Sequence, residues 1–203
     1  YVVVGGNNIG IEVNSKGIMV VGFYEVNGKS IGKDSGFRIG DTIIEVAGEE
    51  ISSIDDMVSK IDSKMNNNTV EFTVVRDGLE KKINLQLIKD SNNVYKTGLY
   101  VKDQITGIGT LTYIDPETKI FGALGHEIIE ANSNLKIEVK DGKIFKAKIT
   151  GITKSTDRTT GEKNASFDES ITYGTITENT TSGIYGKYNY EFDKSNLKKV
   201  GNP

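Results

Sequence analysis

The sequence predicts a mostly β protein, with an α+β first half and an all-β second half. Its 203 residues include only two prolines but 23 glycines, and the many Val, Ile, Thr and Tyr residues favour strands joined by tight turns. Residues 54–65 are the one segment with clear helical periodicity. The polar stretch at 89–98 indicates a boundary, so we expect two domains, residues 1–90 and residues 91–203.

The first half begins with short strands and turns. We predict a strand at Asn8–Val13, a turn at Ser15–Gly17 and a buried strand at Ile18–Val26. Gly40-Asp41 predicts a second turn, which another strand follows.

A helix and a hairpin complete the first half. The helix is predicted over Ile54–Met65 because five apolar residues fall on one face, namely Ile54, Met57, Val58, Ile61 and Met65. Ser53 followed by Asp56 resembles a capping box with the shorter acid. Asp77-Gly78 lies between two alternating arms, which predicts a β-hairpin over Thr69–Leu87.

The second half alternates strands and turns. Asp115–Thr118 predicts a turn between strands at Thr106–Ile114 and Lys119–Gly125. Asp141-Gly142 predicts a hairpin over Leu135–Ile152. The remaining predicted segments are a long polar loop and two strands, at Thr153–Ser170, Ile171–Thr177 and Ile184–Tyr190.

Composition excludes several classes of function. A net charge of −3 argues against a nucleic-acid partner, which usually requires a basic face. The absence of cysteine removes disulfides, thiolate metal sites and cysteine nucleophiles. No apolar run reaches the roughly 18 residues of a membrane span. No positively charged, apolar leader opens the sequence, but a missing leader means little if the chain is a fragment. Because both ends read as interior sequence, we expect the chain to be a fragment of a longer protein.

His126 is the only histidine, and its surroundings allow three interpretations. In a zinc-protease helix the pattern H-E-x-x-H places two histidines toward one metal, but here Glu130 would replace the second. Catalytic zinc sites usually hold three protein ligands, and the preceding Gly122–Gly125 favours a strand or turn over a helix. We therefore predict neither a metal nor another cofactor. His126 is then either a general base at the end of a strand or an ordinary solvated histidine. Glu127 and Glu130 are interpreted as incidental residues just past that strand.

Residues 8–87 resemble a PDZ domain of the kind attached to bacterial proteases. The resemblance rests on "NIGI" at Asn8–Ile11, on "SGFRIGDTIIEVAGEEI" at Ser35–Ile51, and on the helix and hairpin that follow. It implies that backbone N–H groups near Asn8, Ile9, Gly10 and Ile11 bind a peptide carboxylate while a helix face lines the groove. Met57, Val58 and Ile61 are the helix candidates for peptide binding, or else are simply core.

The second half resembles the stage IV sporulation protein B family, PDZ-bearing signalling serine proteases. The resemblance rests on "TGIGTLTYIDPETKIFGALGHEIIE" at Thr106–Glu130, with further family segments at Thr97–Asp103 and Ser182–Tyr188. It implies the first β-barrel portion of a chymotrypsin-like serine protease. It also implies that His126 is the general base of a Ser-His-Asp triad, a role that suits an imidazole.

The chain departs from that family in its catalytic set. The family's G-x-S-G-S-P segment and the aspartate before it are missing, and Asp157, Asp168 and Asp193 cannot be assigned to the triad. Five serines of the second half lie in polar or turn contexts without an oxyanion-hole glycine pattern, namely Ser155, Ser166, Ser170, Ser182 and Ser195. We therefore expect this chain alone to be inactive, because a base without a nucleophile and oxyanion donors gives little rate.

The family resemblance also implies a biological setting. The parent protein would be exported to the space between mother-cell and forespore membranes, held there by a missing N-terminal segment. It would cleave a membrane-anchored regulator, which triggers activation of a late sigma factor, and it would also cut itself. The PDZ domain would bind a peptide or its own chain, with self-association as a further expectation. The alternative is a non-catalytic PDZ-containing module that only binds partners.

Overall fold

The structure is a computed structural model that describes residues 1–157, 160–194 and 197–201. Its elements in chain order are β1 (Val2–Val4), β2 (Asn8–Phe23), α1 (Ile31–Asp34), β3 (Thr42–Val46), β4 (Glu49–Glu50), α2 (Ile54–Lys64), β5 (Thr69–Arg76), β6 (Leu79–Gln86), β7 (Ile88–Lys89), β8 (Tyr95–Lys96), β9 (Leu99–Ile114), β10 (Ile120–Ala123), β11 (Val139–Thr153), β12 (Glu162–Thr180), β13 (Gly183–Tyr188) and β14 (Leu197–Lys198). The predicted mostly β character is confirmed. Among the described residues, no helix is long and apolar enough to span a membrane.

The chain divides into two compact units. The helical unit comprises Ser15–Asp103 and Ile129–Leu135, and the strand unit comprises Tyr1–Asn14, Gln104–Ile128 and Lys136–Pro203. This division differs from the predicted domains at 1–90 and 91–203, because the first 14 residues join the strand unit. The predicted domain ranges stay a prediction.

Strand β2 contradicts the predicted turn at Ser15–Gly17, since it runs unbroken from Asn8 to Phe23. The buried Ser15 hydroxyl donates to the carbonyl oxygen of Gly17 at 2.5 Å, so a polar side chain is satisfied inside the strand. Gly17 has a φ of +100°, and a Cβ there would lie 2.7 Å from the Ile43 carbonyl oxygen. The glycine therefore permits close approach of β3 rather than a chain reversal.

Helix α2 confirms the predicted helix and most of its cap. The Ser53 hydroxyl accepts a hydrogen bond from the Asp56 backbone N–H at 3.1 Å. The Asp56 carboxylate accepts the return bond from the Ser52 N–H at 2.9 Å, one residue earlier than in a standard capping box. Burial of its apolar face against the sheet contributes more to the helix than these caps, because short isolated helices are marginal in water.

The hairpin of β5 and β6 confirms the predicted turn at Asp77-Gly78. Their φ angles of +52° and +74° are those of a two-residue turn whose twist matches the flanking strands. Arg76, which precedes the turn, donates from Nε and Nη2 to the two Asp41 carboxylate oxygens at 2.6 and 2.7 Å. These two hydrogen bonds hold the Gly40-Asp41 turn against the hairpin. The prediction of a turn at Gly40-Asp41 is also confirmed.

The core of the helical unit lies between the sheet and α2. Its strands follow the order β2-β3-β5-β6, and neighbouring strands in this order are antiparallel. The buried cluster contains residues from each of these strands, from α2 and from the start of β9, and its most enclosed members are Val20, Ile43, Val46, Phe72, Val74 and Leu85.

The strand unit follows the order β14-β1-β9-β10-β13-β12-β11-β2, and β9 also pairs with β2. The predicted hairpin at Asp141-Gly142 is wrong, because both residues lie inside β11 and Gly142 pairs with Ile176. A Cβ at position 142 would lie 2.6 Å from the Glu12 carbonyl oxygen, so this glycine also serves close strand packing. The chymotrypsin-like barrel implied by the family resemblance stays a prediction.

The predicted polar loop at Thr153–Ser170 is largely wrong as well. Strand β12 begins at Glu162 and pairs with β11 from Thr153↔Glu162 to Gly142↔Ile176. In the outer part of this ribbon most described side chains are exposed on both faces. Without a buried face the sequence lacks the apolar alternation that marks a strand, and it resembles a loop instead.

Candidate functional site

His126 lies in a turn directly after β10, and its side chain is exposed. The two residues before it have left-handed φ angles, +72° at Leu124 and +88° at Gly125. No helix forms over residues 126–130. In zinc proteases it is a helix that turns the residues at i and i+4 toward one metal, so this stretch lacks the required geometry.

The hydrogen bond of the His126 ring determines which nitrogen is available for chemistry. Nδ1 lies 2.9 Å from the carbonyl oxygen of Glu127. A carbonyl oxygen can only accept, so Nδ1 carries the proton and the neutral ring has its lone pair on Nε2. Nε2 makes no hydrogen bond within the described residues. This is the tautomer that a general base requires.

Asn179 on β12 holds the segment that follows His126. Its Oδ1 accepts from the Ile128 N–H at 2.8 Å, and its Nδ2 donates to the Ile128 carbonyl at 2.8 Å and the Ile137 carbonyl at 3.0 Å. The side-chain amide thus bonds both main-chain groups of Ile128, as a neighbouring strand would. Sequence reasoning missed Asn179, because a lone asparagine in a strand carries no signal of its partner.

Gly183 supports the turn from the start of β13. Its φ is +134°, and a Cβ there would lie 2.5 Å from the Ala123 carbonyl oxygen and 3.1 Å from the Gly125 nitrogen. Only glycine fits, because any side chain would displace the end of β10. The tight turn at Thr180–Gly183, closed by a 3.0 Å bond from the Thr180 hydroxyl to the Gly183 carbonyl, keeps this glycine in place.

Strand β10 provides a buried base for the turn. Phe121 and Ala123 are almost fully buried, and β10 pairs with β9 on one side and β13 on the other. Gly122 lies against Tyr113, whose ring a Cβ would approach to 2.5 Å. Burial raises the pKa of the Tyr113 phenol. The glycine-rich stretch before His126 therefore reflects close packing of the strand that presents it.

Glu130, four residues after His126, has a different role from the incidental one that the sequence suggested. Its side chain is fully buried, and Oε2 accepts from the Asn132 and Ser133 N–H groups at 2.9 and 2.7 Å. Oε1 accepts from Lys102 Nζ at 3.2 Å. Burial disfavours the charge, but the Ser133 N–H, the Lys102 ammonium and the Asn132 N–H outweigh it and lower the pKa of Glu130.

These contacts also bear on the zinc interpretation. Both carboxylate oxygens of Glu130 are engaged by donors of the helical unit, so neither has the environment of a metal ligand. Among the described residues, no group of three or more His, Asp or Glu side chains is placed to hold a metal ion.

Among the described residues, no serine or aspartate forms a hydrogen bond with His126. Within the described part of the chain, its one hydrogen bond is to the Glu127 carbonyl. Asp168 accepts a hydrogen bond from the Ser170 hydroxyl instead, at 2.5 Å. Ser195, one of the serines considered from sequence, lies outside the described residues.

The predicted carboxylate-binding segment Asn8–Ile11 lies in a strand, as the predicted strand at Asn8–Val13 requires. It begins β2 in the strand unit, where Ile9 and Ile11 are buried. A Cβ at Gly10 would overlap the ring of Phe145, so this glycine packs against an aromatic side chain. The role of Asn8–Ile11 in binding a carboxylate stays a prediction.

The three helix candidates differ in exposure. Met57 and Ile61 belong to the buried core of the helical unit, at 4% and 5% exposure, which favours the core alternative for both. Val58 is 47% exposed. Of the three, Val58 is therefore the side chain that a bound peptide can reach.

An edge strand runs beside α2 in the helical unit. The Tyr24 N–H donates to the Gly98 carbonyl at 3.0 Å, and Tyr100 lies over Gly22 with its ring 5.0 Å from that of Tyr24. The first residues of β9 therefore pair antiparallel with β2.

The other edge of residues 99–103 has no strand partner among the described residues, since β1 and β10 pair with β9 at residues 111–114. Main-chain groups alternate along an antiparallel pair, so those of Leu99 and Val101 face this open edge. Consistent with this, the Leu99 N–H donates to the nearby Thr97 hydroxyl rather than to β2, at 3.3 Å. Asp103 Oδ2 accepts from the Ile54 N–H at 2.9 Å, which places the start of α2 beside this edge.

Two family models match the chain, one in each half of the sequence. A PDZ domain family model matches residues 8–87, and the SpoIVB peptidase S55 model matches residues 93–202, which are 110 of the 203 residues. The two matches define the class of protein, a PDZ domain joined to a segment of a serine peptidase. The chain belongs to the SpoIVB peptidase S55 family.

Eight chains of solved structures also match. One is the PDZ domain of the SdrC-like protein from Listeria monocytogenes, which is 21% identical with a TM-score of 0.37 and covers 45% of this chain and 93% of that one. A search of curated proteins finds no match.

Proposed function

We propose that this chain is the PDZ-containing part of a signalling serine endopeptidase in which His126 is the general base. The observation that carries the proposal is the His126 ring itself. It is exposed, its Nδ1 is held by a carbonyl oxygen, and its Nε2 is available to accept a proton. Membership of the peptidase family supports the reaction class, and the buried β10 with Gly183 supports a fixed position for the base.

We expect the nucleophile and the triad aspartate to come from residues beyond this chain. In that arrangement Nε2 takes the proton of the nucleophile and then returns it to the leaving amine. An aspartate at Nδ1 would replace the Glu127 carbonyl, which holds the same tautomer with a neutral acceptor. The proposal includes, from the family, an exported location between two membranes, a membrane-anchored regulator as substrate, downstream activation of a sigma factor, and self-cleavage.

The test of this proposal uses the parent protein with its downstream residues present. His126→Ala is expected to abolish peptide hydrolysis and to remove labelling of the nucleophile by a fluorophosphonate probe, because both need the base. Glu127→Gln is the matched control, since it keeps the carbonyl that holds the ring. Hydrolysis that persists in the His126→Ala protein would reject His126 as the base. The 203-residue chain by itself is expected to hydrolyse nothing.

A second function, peptide binding by the helical unit, is favoured by the open edge of Leu99–Asp103 beside α2. An extended peptide can add to this edge through the main-chain groups of Leu99 and Val101, with Val58 of α2 touching its side chains. The arrangement would also serve the alternative of a non-catalytic binding module, which needs the groove but not His126.

Titration of the isotope-labelled chain with a soluble hexapeptide, followed by NMR, tests the peptide site. Amide shifts are expected at residues 98–103 and at Val58, and an amidated peptide shows whether the terminal carboxylate matters. Val58→Asp should weaken binding, while Leu79→Asp, at a more exposed apolar position at the start of β6, should not. Shifts centred on Asn8–Ile11 would support the original prediction instead and reject the open edge.

A further inference from the structure

A cavity of about 480 Å³ opens in the strand unit. Its lining does not include the residues around His126. Its volume falls in the range of ligand-binding pockets. Residues of β1, β9, β12 and β13 line it together with the segment after β13. Four of the lining residues are aromatic, namely Tyr173, Tyr188, Tyr190 and Phe192.

The aromatic rings stand at different angles around the cavity. Tyr173 is stacked on Tyr188 with 6.1 Å between ring centroids, Tyr190 is tilted against Tyr173 at 5.2 Å, and Phe192 meets Tyr188 edge-on at 5.9 Å. Tyr188 is 6% exposed and Tyr190 is 49% exposed, so the cluster extends from a buried floor to an accessible rim.

Main-chain hydrogen bonds fix the rim. The N–H groups of Asn189 and Tyr190 both donate to the Tyr173 carbonyl oxygen, at 2.8 and 3.2 Å. The segment that carries Tyr190, Glu191 and Phe192 is thereby anchored to β12. Burial raises the pKa of the Tyr173 and Tyr188 phenols, so both rings stay neutral at physiological pH.

The charge of the lining indicates the class of ligand. Glu191 and Asp193 line the cavity, and the described lining residues include no Lys, Arg or His. The faces of aromatic rings carry partial negative charge and attract cations, and this attraction increases when water is excluded. Apolar side chains of Leu111 and Ile114 offer a surface for a methylene stem.

We propose that this cavity binds a cationic side chain, arginine or lysine, presented by a peptide or protein. The charged head lies among the tyrosine rings with Glu191 at the rim, and the stem lies against the β9 residues. The proposal is independent of the role of His126, because the residues that line the cavity do not include residues 124–128.

Arginine and citrulline derivatives provide a matched pair of probes, since citrulline has nearly the shape of arginine without its charge. In an NMR titration of the 203-residue chain, Nα-acetyl-arginine methylamide is expected to shift the amides of Tyr173, Tyr188 and residues 190–193. The citrulline analogue should bind about tenfold more weakly, because it lacks the cation–π and carboxylate interactions. Equal binding of both probes, or binding of neither, would overturn the proposal.

Two variants separate the cavity from a general affinity of this acidic protein for cations. Tyr190→Ala and Glu191→Gln, both at exposed positions, should each weaken binding of the arginine probe by roughly fivefold. Tyr100→Ala removes an exposed tyrosine in the helical unit and should change nothing. If all three variants bind the arginine probe like the parent, the cavity is not the site. A spectrum that matches the parent elsewhere verifies that each variant is folded.

Discussion

His126 and Glu130 are four residues apart in the chain, and the structure treats them in opposite ways. His126 is exposed and makes one hydrogen bond, to a neighbouring carbonyl, whereas Glu130 is fully buried and accepts three. Glu130 organises its own loop, in which the Glu130 N–H also donates to the Leu135 carbonyl at 2.8 Å. The His126 side chain does not hold any such loop, and its own position depends on Asn179 and Gly183. The contrast separates a residue that stabilises the fold from one that the fold presents.

The largest effect is expected from Glu130→Ala. The change leaves the part-buried N–H groups of Asn132 and Ser133 and the partly exposed Lys102 ammonium without their acceptor, which should cost about 3 kcal/mol of the free energy of unfolding. Urea denaturation followed by circular dichroism measures it. Glu127→Ala is the matched control, with an expected loss near zero. A loss below about 1 kcal/mol for Glu130→Ala would break the comparison.

Gly183→Ala should have the next largest effect. The alanine is strained at a φ of +134°, and its Cβ collides with the Ala123 carbonyl, so we expect a loss of about 2 kcal/mol and displacement of the His126 turn. Thermal unfolding and the NMR shift of the His126 ring report the two effects. Gly107→Ala, in open space on β9, is the control. Equal melting temperatures for the two variants would contradict this account of the turn.

Asn179→Ala tests whether the side-chain amide of Asn179 holds the His126 turn. Loss of its three hydrogen bonds leaves the main-chain groups of Ile128 and the Ile137 carbonyl to find water, at about 1.5 kcal/mol. Hydrogen exchange at the Ile128 amide should accelerate by roughly tenfold. Asn179→Asp keeps the acceptor for that amide and should protect it partly. Unchanged exchange in the alanine variant would show that other contacts position His126.

Acid should remove the stabilisation that the ionised Glu130 carboxylate gives to the folded state. Because folding lowers its pKa below the ordinary 4.5, the carboxylate stabilises the fold above that pH and loses the effect as pH falls through the folded value. The difference in melting temperature between the parent and Glu130→Gln should therefore be largest near neutral pH and shrink below about pH 4.5. Other acids with lowered pKa values cancel in this difference. A gap that stays constant from pH 7 to 3 would refute the assignment.

The smallest effect is expected from His126→Ala. An exposed ring with one local hydrogen bond contributes less than about 0.5 kcal/mol to stability. Thermal unfolding of the 203-residue chain measures this, with the Glu127→Ala chain alongside. A loss above 1 kcal/mol would mean that the ring is structural, and the contrast with Glu130 would fail.

Local signals predicted the parts of the fold whose causes are local. The apolar spacing of helix 54–65, its Ser53 cap and the Asp77-Gly78 turn depend on residues close in sequence, and each is present. Asp141-Gly142 carries the same turn signal, yet β11 continues through it because Gly142 allows the distant Glu12 backbone to approach. A glycine needed for a turn and one needed for close packing look alike in a sequence.

The candidate site shows the same division. The glycines before His126 and the family motif directed attention to this turn, and the exposure of His126 is compatible with the proposed base, whose role stays a prediction. Asn179 and Gly183, which hold that turn, lie more than 50 residues away and carry no pattern that links them to it. The role of Glu130 depends on Lys102, Asn132 and Ser133 meeting in three dimensions, so its sequence position suggested only an incidental acid.

The Asn179 amide bonds main-chain atoms alone, and this leaves the chemistry of the side chains around it unconstrained. Glu127 and Ile128 can therefore be replaced by most other residues without loss of these hydrogen bonds. Proline is the exception, because at position 128 it has no N–H to donate to Asn179 Oδ1. A library randomised at these two positions would be expected to stay folded almost throughout. The stretch next to His126 can therefore change in sequence while the hydrogen bonds that hold it are kept.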